Sequence, residues 1–188
     1  MRIIAGKFKG KVLKEFELSS TRPTTDLVKG AIFNIIGNKI VNSNFLDLFS
    51  GTGAIGTEAL SRGSKQVFFA DSNKESVNLI KKNLSLIKAD NFIIMQTDCF
   101  ETLKTLYSQN IKFDLIFLDP PYSTDYAEKC IKLIYKLTLL NENGWILWEH
   151  DQTKLKETSK VEQIKTKKYG KKYVSIISKE VLESYINS

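Results

Sequence analysis

Apolar and polar positions change period several times along the chain, and each change marks an element. "MRIIAGKFKGKVLKEFEL" carries short apolar pieces broken by Gly6 and Gly10, the pattern of two or more short strands in a hairpin. "RPTTDLVKGAIFNIIG" shifts to helical spacing, with Leu27, Val28, Ala31, Ile32, Ile35 and Ile36 on one face. Thr24 or Thr25 is placed to cap the start of this helix, and Gly37 to end it.

From Phe45 onward strand and helix alternate. "FLDLF", "QVFFAD", "NFIIMQTD", "FDLIFLD" and "GWILWEH" read as strands. "AIGTEALSR", stopped by Gly63, reads as a helix. So do "KESVNLIKKNLSLI", with Val77, Ile80, Leu84 and Ile87 on one face, and "YAEKCIKLIYKLT". Near-continuous apolar strands separated by amphipathic helices predict an α/β fold with a parallel sheet covered on both faces. The tail differs: "VEQIKTKKYG" and "KKYVSIISKE" flank a Tyr-Gly turn and predict an antiparallel hairpin. No repeats, low-complexity tracts or long linkers interrupt the pattern.

The 188 residues, 42% of them apolar, suffice for one well-packed domain with a small appendage. With no signal peptide and no run of about 18 apolar residues, the chain is expected to be soluble and cytoplasmic, with no membrane partner. Cys99 and Cys130 lack metal-ligand spacing and read as buried thiols, and no metal is expected. The net charge of +7 points to a polyanionic partner. The basic residues gather toward the two ends. Arg2, Lys7, Lys9, Lys11, Lys14 and Arg22 stand near the start; Lys154, Lys156, Lys160, Lys165, Lys167, Lys168, Lys171 and Lys172 stand near the end. Such clusters read either as a solvated face or as a grip on phosphates.

Candidate chemistry begins at "DLFSGTGAIG". Gly51, Gly53 and Gly56 form G-x-G-x-x-G between a strand and a helix. That motif also serves NAD and FAD. Asp47 separates the possibilities: a carboxylate just upstream would repel a pyrophosphate. It favours a ligand bearing an ammonium group, such as the methionine end of S-adenosylmethionine. Asp71 ends its strand about twenty residues after the loop, where an acid takes a ribose diol. Asp98 follows the next strand and could accept from an adenine amino group. Phe49, Thr52 and Cys99, neighbours of these residues in sequence, complete the expected cofactor-binding set. Ligands in open α/β sheets lie outside the carboxyl ends of the strands, so these acids converge on one crevice. The plain alternative for each acid is a helix cap.

"FDLIFLDPPY" ends a further strand at Asp119-Pro120-Pro121-Tyr122. Proline fixes its backbone and donates no N–H, so the pair stops the strand and stiffens the corner. An exocyclic amino group on a nucleobase is a poor nucleophile, because its lone pair is delocalised into the ring. A carboxylate and a fixed carbonyl can accept its two N–H groups and favour the charge that develops on transfer. Tyr122 offers a π face to a base lifted from its stack. The alternative is an ordinary Pro-Pro turn with a surface tyrosine.

"LDLFSGTGAIGTEALSRGS" and "FDLIFLDPPY" resemble class I, Rossmann-like, S-adenosylmethionine-dependent methyltransferases acting on amino groups. "RIIAGKFKGKVL" and "RPTTDLVKGAIFNII" narrow the resemblance to the bacterial 16S ribosomal RNA guanine-N2 methyltransferases. It spans roughly the first 150 residues in order, and the last forty or so follow it loosely. It implies a seven-stranded, mostly parallel sheet with an antiparallel C-terminal hairpin. The expected division is a β-hairpin extension over residues 1–24 and a methyltransferase domain over residues 25–188. It further implies 16S rRNA or the assembling small subunit as the partner, and the protein is expected to be a monomer. Lys7, Lys9, Lys11, Arg22 and Tyr122 would meet substrate. The chain departs from the usual pattern at Leu27, where the family has Arg, at Gly30, where it has Glu, and at Tyr122, where Phe is commoner. Tyr122 brings the motif nearer to adenine-N6 enzymes.

Competing readings are a DNA adenine-N6 methyltransferase, a non-catalytic RNA-binding assembly factor and an NAD-dependent oxidoreductase. The first usually needs a target-recognition region that this length leaves little room for. An intact Asp119-Pro120-Pro121-Tyr122 argues against the second, and Asp47 against the third. His150, the only histidine, and Glu149 read as polar residues closing a strand, and Trp145 and Trp148 as core.

Overall fold

A computed structural model of the chain describes residues 1–16, 26–158 and 161–187. The strands are β1 (Asn44–Asp47), β2 (Gln66–Ala70), β3 (Phe92–Met95), β4 (Phe113–Leu118), β5 (Leu140–His150), β6 (Lys165–Tyr169) and β7 (Lys172–Ser178). The helices are α1 (Asp26–Ile36), α2 (Ala54–Ser61), α3 (Lys74–Leu86), α4 (Cys99–Ser108), α5 (Tyr126–Lys136), α6 (Leu155–Thr158) and α7 (Lys179–Ile186). The strands form one seven-stranded sheet in the order β3-β2-β1-β4-β5-β7-β6. Strands β1 to β5 pair in parallel, and β7 runs antiparallel to both β5 and β6. A dinucleotide-binding sheet has six mostly parallel strands in the order 3-2-1-4-5-6. The reversed strand between β5 and β6 separates this fold from it.

Side chains alternate across a strand, so each apolar strand feeds two cores. In β4, Leu115 and Phe117 face one layer with Ile32, Phe33, Ile55 and Ile80, from α1, α2 and α3. Ile116 and Leu118 face the other with Leu103, Ile131, Ile134 and Leu182, from α4, α5 and α7. Fully burying such a side chain contributes about 1.5–3 kcal/mol before entropy is counted.

Several expectations need correction. Leu27 lies 74% exposed, because the buried stripe of α1 runs through Val28, Ile32, Phe33 and Ile36 instead. Lys29 completes that stripe. Its ammonium is taken inward by the Arg2 carbonyl and lies 3.6 Å from Glu58 Oε2. Among the described residues, the N-terminal hairpin reduces to a single antiparallel bridge, Arg2 to Val12. Gly6 and Gly10, at φ +82° and +84°, fold residues 1–13 into a tight loop rather than a ladder. That loop is held by α2. The N–H groups of Ile4 and Ala5 donate to Glu58 at 2.8 and 3.0 Å, and that of Lys7 to the Ser61 carbonyl at 2.7 Å. A Cβ on Gly6 would fall 1.8 Å from that same carbonyl oxygen. The expected cap at Thr24 or Thr25 lies outside the described residues. Helices α4, α6 and α7 are not among the elements the pattern predicts; α7 takes over at Lys179, where the hairpin pattern of the tail would run on.

Candidate active site

The site lies at the carboxyl ends of β1, β2, β3 and β4, and its floor is the turn between β1 and α2. The register Asp47 to Phe69 and Asp47 to Phe117 brings the ends of β1, β2 and β4 level. Ser50 staples them: its hydroxyl donates to the Asp47 carbonyl at 2.7 Å and accepts from the Ala70 N–H at 3.0 Å. Gly51 and Gly53 take φ +52° and +77°, the left-handed region that glycine enters without penalty. Asn83 on α3 donates to the Thr52 carbonyl at 3.1 Å and fixes the outer side of the turn.

Asp47 is buried. Its Oδ2 accepts the Gly56 N–H at 2.9 Å, supplying α2 with a cap that Gly53 lacks the side chain to give. Its Oδ1 is buried with no hydrogen-bond partner among the described residues. Burial pushes the carboxyl up to about 7; the Gly56 N–H opposes that shift and nearby Asp71 adds to it. Its chain neighbours apart, a Cβ on Gly51 would meet no atom of the described residues within 4 Å. An unpaired acceptor under an open glycine turn fits a ligand that carries N–H donors.

Asp71 Oδ2 accepts the Gly51 N–H at 2.8 Å, and its Oδ1 accepts the Asn73 N–H at 2.8 Å. The loop is thus tied to β2, and each oxygen keeps a lone pair for a further donor. Asp98 caps α4, as the plain alternative holds, with Oδ1 accepting from Phe100 and Glu101 at 2.9 and 3.0 Å. Asp98, Cys99 and Phe100 also line a shallow depression with Tyr126, whose ring meets Phe100 edge-on at 5.7 Å. Phe49 is half-buried against the core below. Cys99 and Cys130 are buried free thiols.

Asp119 follows β4 directly and stands beside the same crevice. Burial and Glu149 push its carboxyl well above the usual carboxylate range; the Lys172 ammonium pulls it down, and Asp47 raises it further. Pro120 is buried, Pro121 exposed and Tyr122 half-buried. The Tyr122 hydroxyl donates to Glu149 Oε1 at 3.2 Å. Burial first, then Asp119 and Glu149, pushes the phenol up, so it stays protonated.

Glu149 and Lys172 stand at this same edge, although the sequence pattern marks one only as a polar residue closing a strand and the other as part of a basic tail. Glu149 is fully buried, and its Oε1 also takes the Lys172 ammonium. A signal did exist: a polar residue at the end of an apolar strand, the same rule that found Asp47 and Asp119. His150 does read correctly as structural. It is buried between the Asp151 carbonyl and the Ser175 hydroxyl, each 2.8 Å from a ring nitrogen. Trp148 is core, whereas Trp145 is half-buried beneath the Lys39 ammonium, 4.8 Å from its ring centre.

The expected RNA-facing lysines are not gathered at the crevice. Lys7, Lys9 and Lys11 are exposed on the N-terminal loop, with Lys7 beside the far end of α2. Arg22 lies outside the described residues. Among the described residues, no group of three or more His, Cys, Asp or Glu could hold a metal, and no helix is long and apolar enough to cross a membrane.

A seven-stranded sheet with one reversed strand, a glycine turn over a buried acid, and an acid-Pro-Pro-aromatic corner together define a class I methyltransferase. Sequence comparison places the chain more narrowly: it belongs to the family described as Conserved hypothetical protein 95, whose profile matches residues 1–178. Protein YlbH of Bacillus subtilis is 39% identical over 160 residues, covering 84% of this chain and 87% of its own. Ribosomal RNA small subunit methyltransferase D of Haemophilus influenzae is 36% identical over 156 residues, covering 82% and 80%. The solved structure of yhhF from Escherichia coli superposes with a TM-score of 0.81 at 27% identity, covering 95% of this chain and 97% of that one. The chain is therefore an S-adenosylmethionine-dependent methyltransferase of this family.

Proposed function

We propose that this protein transfers a methyl group to the exocyclic N2 of a guanine in 16S rRNA of the small ribosomal subunit. The observation that carries the reading is the Asp119-Pro120-Pro121-Tyr122 corner, set at the end of β4 beside the strand that bears Asp47. Relatives named for small-subunit rRNA methylation support the substrate.

S-adenosylmethionine supplies an electrophilic methyl group when bound. Asp47, through its unpaired Oδ1, would receive the methionine ammonium, and Asp71 the ribose hydroxyls. Asp98 and Cys99 would border the adenine. Phe49, Gly51, Thr52 and Gly53 would line the approach. On the other side, Asp119 accepts one N–H of the guanine amino group and the Pro120 carbonyl accepts the other. The lone pair is thereby turned toward the methyl donor, and the charge that builds on nitrogen meets a carboxylate held in place beforehand. The raised basicity of Asp119 suits it to take the proton that the methylated nitrogen must lose. Pro121 stiffens the corner, and the Tyr122 ring stacks on the flipped base.

In this reading residues 1–24, with Lys7, Lys9, Lys11 and Arg22, form a phosphate-gripping extension. Residues 25–188 form the catalytic domain, and the enzyme acts in the cytoplasm as a monomer. Tyr122 leaves adenine-N6 chemistry as the second reading. Incubation of labelled cofactor with naked rRNA, small subunits and duplex DNA, followed by nuclease digestion and mass spectrometry, decides between them. N2-methylguanine in rRNA is expected; N6-methyladenine overturns the target, and no transfer to any substrate overturns the function.

A further inference from the structure

The catalytic corner does not end with the strand that carries it. On β5, the register Leu118 to Trp148 sets Glu149 level with Asp119 across the parallel pair. On β7, the register His150 to Tyr173 sets Lys172 just beyond, at the same edge. Glu149 Oε1 takes two donors, the Tyr122 hydroxyl at 3.2 Å and the Lys172 ammonium. Its Oε2 is buried with no hydrogen-bond partner among the described residues. The Lys172 side chain is 20% exposed and already paired, unlike Lys171 at the tip of the hairpin, which is exposed. Lys172 is thus turned away from the phosphate-gripping role its place in the basic tail suggests.

We propose that Lys172 is a positioning residue for methyl transfer: paired with Glu149, it fixes Tyr122 and faces Asp119, so that the C-terminal hairpin completes the active site. The proposal rests on the reading that Asp119 and Tyr122 receive the base. The charged and titratable groups that act on Asp119 are Asp47 from β1, Glu149 from β5 and Lys172 from β7, and Tyr122 lies three residues on. Three carboxylates and one cation make Lys172 the balancing charge. A like charge nearby disfavours an ionised acid, and an opposite charge within about 4–6 Å favours it by roughly 1–3 pH units. Without Lys172, the acidic neighbours would push the Asp119 carboxyl further up and make it a poorer acceptor for the amine it orients. At the same time Glu149 would lose the partner that holds it against the tyrosine hydroxyl.

Two variants of the full chain, Lys172→Met and Lys172→Arg, test this. The first readout is the titration of the Asp119 carboxyl carbon by NMR, assigned with Asp119→Asn, which needs no substrate. The second is kcat against pH, with whatever nucleic acid the wild type methylates. Lys172→Met is expected to move the Asp119 titration and the acid limb of kcat upward by about one unit or more. It should lower kcat at neutral pH rather than raise KM, and Lys172→Arg should stay near wild type. Glu149→Gln, which removes a like charge, should move the titration the other way and serves where Lys172→Met does not fold. Tyr122→Phe should leave the titration in place. Superimposable titrations of wild type and Lys172→Met, or of wild type and Glu149→Gln, overturn the proposal. Methylation of another base sinks the guanine assignment and leaves this test intact.

Discussion

Replacing Asp47 by asparagine separates the job this carboxyl has in the structure, holding α2, from the one proposed for it, receiving the cofactor. The buried acid titrates at about 7. An unfolded aspartate titrates at about 3.9. Between these values the folded protein keeps a proton that the unfolded chain has released. The folded pKa is raised, so stability falls as pH rises through that window, by up to about 1.4 kcal/mol per unit and about 4 kcal/mol in all. Asparagine cannot ionise and escapes this loss. Its amide nitrogen would take the place of Oδ1, where no acceptor waits, and would bury two unpaired N–H groups in place of the single O–H of the protonated acid, at about 1–3 kcal/mol. Asp47→Asn is therefore expected to be less stable than wild type near pH 4 and more stable near pH 8. Urea denaturation across that range reads the crossing. Cofactor binding should move the opposite way. An ammonium seated against Asp47 favours the ionised form, so binding below pH 7 releases a proton, which calorimetry in two buffers of different ionisation enthalpy counts. The variant should bind weakly and release none. A stability difference that stays constant with pH, with no proton released by wild type, would refute both the burial account and the ammonium assignment.

Other outcomes follow from the same geometry. Gly56→Ala would set a Cβ 2.3 Å from Cε1 of the buried Phe69; overpacking of about 1–3 kcal/mol outweighs the roughly 1 kcal/mol that alanine adds to a helix. A lower urea midpoint and weaker cofactor binding are expected, and an unchanged midpoint contradicts the close packing of α2 on β2. Asp119→Ala should bind cofactor as wild type does while methyl transfer falls about 10²–10³-fold; full turnover would remove the mechanism. Neutralising Lys7, Lys9 and Lys11 together should flatten the dependence of log affinity for rRNA on log salt. A slope equal to wild type would leave those lysines as a solvated face.

How much of this was legible before the fold was known depends on how local each cause is. A buried parallel strand must be apolar from end to end, so "FLDLF", "QVFFA" and "FDLIFL" announced themselves, and the acid closing each marked one edge of the sheet. The glycine turn was equally local, because left-handed backbone at Gly51 and Gly53 is a property of a few consecutive residues. α1 was located but turned slightly wrong: Leu27 and Val28 are both apolar, and only the position of Glu58 and the Arg2 carbonyl decides that Lys29 goes in while Leu27 stays out. The "GWILWEH" strand was found and its last polar residues set aside as structural. His150 is sealed against Ser175, whereas Glu149 is buried against the Tyr122 hydroxyl and the Lys172 ammonium. Glu149 and Lys172 lie 27 and 50 positions from Tyr122 in a chain that gives no sign of their meeting. What joins them is the order of strands, β4 beside β5 beside the reversed β7. Local periodicity fixes which segments become strands and which end of each carries an acid. Which strands lie side by side is settled only when every apolar face is buried at once, and that choice brought the Lys172 cation to Glu149 and Tyr122.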